Sequence, residues 1–181
     1  SLDQSFKKRE EAEKRWGEKA GEYREKIETA VKETAGYMIT YEKKPILAVY
    51  HAISTGMTES CENVWGKDIP YLKPVASPGD KLAPEYIKKA EFTEEEVKTK
   101  LAELCTVSGE AKDFFTDIQK TESGTVKSIS GCGKEVTGAA IRSLFNLRSS
   151  AFEVAYDSGK FTFTVYGYGH GVGMSQYGAN Y

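Results

Sequence analysis

The sequence predicts an α+β fold, built from mixed short-stranded sheets with flanking helices and a cleft formed by loops. The apolar pattern gives the order helix, strand, strand, long loop, helix and then several short elements, which does not alternate as an α/β chain does. No repeat of fixed period is visible along the chain. Its 181 residues are enough to bury a real core, so we expect a single domain over residues 1–181.

The first predicted element is a charged helix over residues 9–33. Its apolar residues recur at spacings of four, three, four and four, which places them on one face of a helix. Gly36, just beyond them, is of the residue type that commonly ends a helix. The apolar stripe consists of Trp16, Ala20, Tyr23, Ile27 and Val31.

Two strand-like runs follow over residues 37–54, separated by a turn at residues 42–45. A long loop then leads to a second helix, which Thr93 can cap while Glu96 completes a capping box. The predicted inner face of this helix comprises Val97, Leu101 and Leu104.

The last third of the chain contains two predicted hairpins and a short helix. The run "VKSISGCGKEV" favours a hairpin around Gly131 and Gly133, and "GAAIRSLFNL" favours the helix. The runs "AFEVAY" and "FTFTVYGYG" then favour a second hairpin, which turns at residues 157–159.

The charge balance argues against nucleic-acid binding, and the hydropathy argues against a membrane-spanning helix. With 25 basic and 27 acidic residues and a net charge of -2, the chain offers no electrostatic basis for binding nucleic acid. No stretch approaches 18 apolar residues, so the sequence predicts no membrane-spanning helix. The chain begins at Ser1 and carries no signal peptide, so we expect a processed or engineered fragment.

The cysteines form no familiar pattern. Cys61, Cys105 and Cys132 are odd in number and lack CxxC spacing, which predicts neither a disulfide framework nor a zinc ribbon. Cys105 is expected in the core. His51 and Cys61 make an incomplete zinc site, since two ligands do not complete a zinc shell. The alternative for His51, at the end of an apolar strand, is a hydrogen-bonded core histidine.

A long polar loop follows the second strand-like run and extends to about residue 80. Long irregular segments inside a domain are usually functional or disordered, and Trp65 argues that this one is anchored, so we expect a cleft wall. Glu59 is its best candidate acid. The alternatives are a helix cap or a surface carboxylate, because Thr58 and Ser60 beside it do not form the apolar pocket that raises a carboxyl pKa.

The run "GYGHGVGMSQYGANY" holds five glycines around His170, a composition that requires an unusual backbone shape. Its glycines do not match the dinucleotide fingerprint, and its serine does not lie in a nucleophile elbow. The alternatives are a tight turn with a hydrogen-bonded histidine or a loop that faces a ligand. The candidate ligand-binding residues of this loop are His170, Ser175, Gln176 and Tyr177.

Two long stretches together resemble the SpoIID family of sporulation proteins and its LytB-type relatives. One runs from "AGYMITYEKKP" through "TESCENVWGKDIPYLKP", and the other from "VTGAAIRSLFNL" to "GHGVGMSQYGA". The resemblance covers residues 7–180 and implies a lytic transglycosylase, which breaks the MurNAc–GlcNAc linkage of peptidoglycan with a 1,6-anhydro product. It also implies a protein anchored outside the cytoplasmic membrane of endospore-forming bacteria, acting in engulfment beside other septum proteins and an amidase.

Such chemistry needs one carboxylic acid with a raised pKa, and no cofactor, although zinc stays possible at His51 and Cys61. The family's acid lies in an N-terminal segment with "Glu-Met-Pro" and "Ala-Arg-Thr-Tyr" stretches, which this sequence does not contain, and a C-terminal helix normally follows "SQYGA". We therefore expect a domain truncated at both ends that does not cleave peptidoglycan alone unless Glu59 substitutes.

The alternative function is a non-catalytic peptidoglycan-binding or assembly module on the same scaffold. In either case we expect His51, Glu59 and the loop from His170 to Tyr177 to share one cleft, with Glu59 and His170 less than about 20 Å apart. The expected substrate-binding residues are His170, Ser175, Gln176, Tyr177, Ser54 and Thr58.

Overall fold

The computed structural model of the protein describes residues 7–130 and 134–181. Its helices and short sheets confirm the α+β class. The chain divides into two compact units, Ser1–Ile46 and Leu47–Tyr181. No helix in the described ranges is long and apolar enough to cross a membrane.

The first unit contains two helices and a two-stranded hairpin. The single helix predicted over residues 9–33 is wrong, because Gly17 takes a φ of 58° and ψ of -130° and breaks it. A short 3₁₀ turn joins the two parts, and Trp16 meets Tyr23 edge-to-face with ring centroids 5.9 Å apart. The elements are α1 (Arg9–Trp16), α2 (Ala20–Glu33), β1 (Thr40–Tyr41) and β2 (Lys44–Pro45).

The second unit is built around a three-stranded antiparallel sheet of Ile87–Thr93 (β4), Lys160–Tyr166 (β9) and Phe152–Asp157 (β8), in that spatial order. A second antiparallel sheet consists of Thr116–Lys120 (β5), Val126–Ser130 (β6) and Val136–Thr137 (β7), in that order. The helices in this part are α4 (Glu94–Leu101) and α5 (Gly138–Leu144).

An aromatic core holds these elements together. The rings of Phe114, Phe152, Phe161 and Phe163 are fully buried, and the inner-face residues of α4 and α5 pack against them. Each such ring removes a large apolar area from water, which stabilises the fold by about 2–3 kcal/mol per side chain.

Several locally encoded predictions are confirmed. Thr93 accepts from the Glu96 amide while the Glu96 carboxylate accepts from Thr93, which is the predicted capping box. The hairpin β8–β9 turns at Ser158 and Gly159, both with positive φ. Strands β6 and β7 pair as expected, although Gly131 and Gly133 between them lie outside the described residues.

The cysteines differ from expectation in one respect. Cys105 packs against the core as predicted, and it is disulfide-bonded, a bond that the number and spacing of the cysteines did not indicate. Cys61 is buried and free.

The remaining elements bring distant parts of the second unit together. The strand predicted up to Ser54 shortens to a two-residue strand, β3 (Tyr50–His51), which pairs in parallel with β10 (Met174–Ser175). Two short helices complete the unit, α3 (Cys61–Trp65) and α6 (Gln176–Asn180). This pairing places the glycine-rich end of the chain directly beside the long polar loop.

Candidate functional site

The glycine-rich segment from Gly167 to Gly173 packs backbone to backbone against residues 49–59. The Glu59 amide donates to the Gly171 carbonyl oxygen at 2.8 Å, and Ile53 exchanges hydrogen bonds with Tyr168. Gly173 has a φ of 77°, and a Cβ there would lie 2.2 Å from the Val49 carbonyl oxygen. A side chain is therefore excluded by close backbone approach as well as by conformation.

This packing brings the predicted residues together. The His51 and His170 rings lie 6.0 Å apart between centroids, and Glu59 forms a parallel bridge with Val172, two residues after His170. The polar loop and the terminal segment thus form one cluster, while the expectation that His51, Glu59 and the His170 loop share one cleft stays a prediction.

A cavity of about 380 Å³ lies beside this cluster. Of the described residues that line the cavity, none is acidic and two are basic, namely Lys127 and Arg142. Residues that matter for its chemistry are Ser54, Thr55, Asn63, Thr121, Lys127, Arg142 and His170.

Glu59 lies just outside the lining, buried to 1% exposure. Its Oε1 accepts from the Ser60 amide at 2.7 Å and from Asn63 Nδ2 at 2.8 Å. Its Oε2 accepts from Thr121 Oγ1 at 2.6 Å and from the Ser123 hydroxyl. Four donors therefore surround one carboxylate and connect α3 to the turn between β5 and β6.

These donors decide the charge of Glu59. Burial on its own raises the pKa of Glu59, but the hydrogen bonds stabilise the charged form, and the resulting pKa lies below the usual value of a glutamate. The side chain is therefore ionised at neutral pH and is poorly suited to donate a proton.

Asp80 is a second buried carboxylate, which the sequence-based interpretation missed. Its Oδ2 accepts from the Ser54 amide at 3.0 Å and from the Ser54 hydroxyl, and its Oδ1 accepts from Ser175 Oγ at 2.6 Å. Burial raises the pKa of Asp80, yet its donors lower it below the usual aspartate value. Ser54 and Ser175 thus hold the loops together through Asp80.

The other predicted binding residues differ in exposure. Thr58 is buried, and its hydroxyl accepts from the Val75 amide at 3.0 Å. Gln176 is exposed at the start of α6, and the Tyr177 hydroxyl donates to the Leu82 carbonyl oxygen at 3.3 Å. The cavity lining includes Ser54 and His170 from the predicted set, but not these three residues.

The two histidines bind the backbone of Val172 on its two sides, one at its carbonyl oxygen and the other at its amide. The His51 Nδ1–H donates to the Val172 carbonyl oxygen, while the Val172 amide donates to His170 Nδ1, both at 3.1 Å. Burial lowers the pKa of both imidazoles, and His51 lowers that of His170 further, so both rings are neutral at neutral pH. Trp65 packs on His170 with centroids 4.9 Å apart.

Among the described residues, no third side chain joins His51 and Cys61 to complete a zinc site. His51 is buried, and its Nε2 has no hydrogen-bond partner within the described ranges. In those same ranges, no three His, Cys, Asp or Glu side chains are grouped to hold a metal ion.

Comparison with known proteins identifies relatives of the chain. It is 40% identical over 179 residues to stage II sporulation protein D of Bacillus amyloliquefaciens, and 38% identical over 178 residues to the protein of that name in Bacillus subtilis (strain 168). Each alignment covers 98% of this chain and 51% of the relative. The chain belongs to the SpoIID family.

The SpoIID chain spans about half the length of these curated relatives. It is also 25% identical over 205 residues to the amidase enhancer of Bacillus subtilis (strain 168), an alignment that covers 83% of the chain and 28% of that protein. No family model matches the chain.

Several residues of this SpoIID site were not found from the sequence. Asp80, the pair Thr121 and Ser123, and Arg142 lie in three separate segments, and no motif connects them. The one signal in the sequence is the run "ESG" after β5, because a serine followed by a glycine is typical of a turn. In the structure this glycine has a positive φ, and the serine hydroxyl donates to Glu59. Only the fold shows which of these polar residues meet.

Proposed function

We propose that the unit of residues 47–181 binds peptidoglycan glycan strands, as part of a lytic transglycosylase that breaks the MurNAc–GlcNAc linkage with a 1,6-anhydro product during endospore engulfment. Membership of a family named for sporulation supports the cell-wall role. The observation that carries the proposal is the cavity beside the glycine-rich segment, where two cations and several hydroxyl groups lie among apolar residues, a combination that suits a glycan that carries acidic groups.

The proposed reaction requires an acid that first protonates the glycosidic oxygen and then acts as base towards the sugar's own 6-hydroxyl. Glu59 is ionised and hydrogen-bonded at both oxygens, and none of the described lining residues is acidic. We therefore assign Glu59 a positioning role and place the proton donor outside these 181 residues. The chemistry is acid–base catalysis and requires no cofactor.

A second candidate is a non-catalytic peptidoglycan-binding or assembly module. The absence of an acid among the described lining residues favours this second function, because the cavity then offers contacts for a strand but no proton donor. In both cases we propose an extracytoplasmic location, with an anchor outside this sequence. The proposed partners are glycan strands, other septum proteins and an amidase, the last in keeping with the name of the amidase enhancer.

Blocking the cavity tests strand binding. Ala139 is exposed on α5 and lines the cavity, so Ala139→Trp should fill it without disturbing the core. We expect about a tenfold or greater loss of binding to purified sacculi, measured by co-sedimentation, which corresponds to about 1.4 kcal/mol.

Ser143→Trp is the matched control, because Ser143 is exposed on the same helix but does not line the cavity. It should bind sacculi like the unsubstituted chain. Equal binding by the Ala139 and Ser143 variants, with both folded by thermal melting, would contradict the proposal.

A further inference from the structure

Arg142 is a partly buried cation without a described acidic partner. It lies on α5, and its Nε donates to the Leu147 carbonyl oxygen at 3.3 Å. Within residues 7–130 and 134–181, nothing forms an ion pair with it or hydrogen-bonds its terminal amino groups. Arg142 is among the residues that line the cavity, so a ligand bound there lies beside a guanidinium whose amino groups have no partner in the described ranges.

Burying the Arg142 guanidinium without an acidic partner costs free energy of folding. Charged side chains are rarely buried without a partner, because removing them from water is unfavourable. Burial indeed lowers the pKa of Arg142, and no carboxylate opposes that effect. A guanidinium held at Nε and free at its two ends matches a planar carboxylate, which it binds with two parallel hydrogen bonds.

The other polar groups of the lining are largely engaged within the protein. Thr55 Oγ1 donates to the Ser123 carbonyl oxygen at 2.6 Å, and Ser149 Oγ donates to the Tyr166 carbonyl oxygen at 2.6 Å. The Thr121 hydroxyl is bound to the Glu59 carboxylate. The charges on the described lining residues are therefore positive, from Arg142 and from Lys127 on β6, while the ionised Glu59 lies outside the lining and is bound by its own four donors.

We propose that Arg142, assisted by Lys127, forms a subsite for a carboxylate carried by the glycan strand. The inference rests on the proposed function and specifies which part of the strand the cavity recognises. Two groups carry that chemistry. The lactyl group of muramic acid is a free carboxylate when its stem peptide has been removed, and the stem peptide carries its own carboxylates when attached.

Calorimetric titration of the 181-residue chain with three oligosaccharides of equal length tests the subsite. These are stem-free GlcNAc–MurNAc strands, stem-bearing strands and GlcNAc-only strands without the lactyl group. We expect an acidic strand to bind about tenfold or more tightly than the neutral one, because charge-assisted hydrogen bonds are strong. The tighter of the two acidic strands identifies the source of the carboxylate.

Arg142→Gln should remove this preference, so that the acidic and the GlcNAc-only strands bind the variant with equal affinity. Lys127→Gln, on an exposed position, should reduce the preference about threefold and provides a second variant if Arg142→Gln fails to fold. Arg148→Gln is the matched control, because Arg148 does not line the cavity, and it should retain the preference.

The outcomes separate this inference from the proposed function. Equal affinity of the unsubstituted chain for acidic and neutral strands, or a preference that persists in Arg142→Gln, overturns the subsite and leaves glycan binding intact. Failure of the unsubstituted chain to bind any strand overturns the proposed function and the subsite with it.

Discussion

At the position of Glu59, four hydrogen-bond donors converge on one buried carboxylate. Two of them, Thr121 and Ser123, come from a turn more than 60 residues further along the chain. Breaking such a set leaves several buried donors without an acceptor, which costs more than the loss of one bond. Glu59 is therefore expected to stabilise the fold strongly as an anion.

We predict that Glu59→Gln lowers the free energy of unfolding by about 2–4 kcal/mol at pH 7, because the amide NH₂ would face donors. The folded-state pKa of Glu59 is depressed, so its stabilisation is present above the unfolded-state pKa of about 4.3 and is lost as the pH falls through the folded value. The difference between the two proteins should thus shrink below about pH 4. Urea unfolding at several pH values measures it.

Glu62→Gln is the control, since Glu62 is exposed on α3 and should change stability by less than about 0.5 kcal/mol. A loss for Glu59→Gln no larger than that of Glu62→Gln would show that the carboxylate is not held as described. So would a loss that grows towards acidic pH.

The environment of Glu59 could not be predicted from the sequence. Its neighbours Thr58 and Ser60 are polar, which favoured a cap or surface carboxylate over a buried one. Burial arises because Val172 and the β5–β6 turn cover it, and both contacts are distant in sequence. Asp80 was not predicted for the same reason, because its partners Ser54 and Ser175 are distant in sequence and it lies in no recognised motif.

At the scale of elements, the terminal glycines are explained by close packing rather than by flexibility. Gly173 and Gly159 both have positive φ, at 77° and 84°, but only Gly173 has a backbone oxygen where a Cβ would lie. The two positions therefore separate the conformational cost of a side chain from the steric cost.

We predict that Gly173→Ala destabilises the protein by about 2–4 kcal/mol and that Gly159→Ala, in the β8–β9 turn, costs about 1–2 kcal/mol. The larger effect arises because β3 and β10 must separate to admit the methyl group. Thermal unfolding of the two variants measures the difference. Equal losses would indicate that the terminal segment does not pack against Val49.

Elements encoded by neighbouring residues were predictable, and those that depend on distant contacts were not. The capping box at Thr93 and the β8–β9 hairpin follow from residues three to five positions apart. The break at Gly17 was missed because the apolar stripe continues through it. The parallel pairing of β3 with β10 joins segments about 120 residues apart, which no local pattern reveals.

At the scale of the whole molecule, the resemblance of two long motifs predicted the family, and the relatives confirm it. The polar loop and the terminal segment were expected to meet, because each is a glycine-bearing loop that leaves a predicted strand. The motifs did not predict the cavity, because Arg142 and Lys127 reach it from α5 and β6. We propose that this unit supplies a glycan-binding cavity whose described lining residues include no proton donor.

Product analysis after incubation with purified sacculi tests that claim most directly. The 181-residue chain should sediment with the sacculi and release no anhydro-muramyl products, because no described acid lines the cavity and Glu59 is ionised. Release of such products by the chain would contradict the claim. If Glu59→Gln, folded at the assay temperature, then abolished that release, Glu59 would be the proton donor.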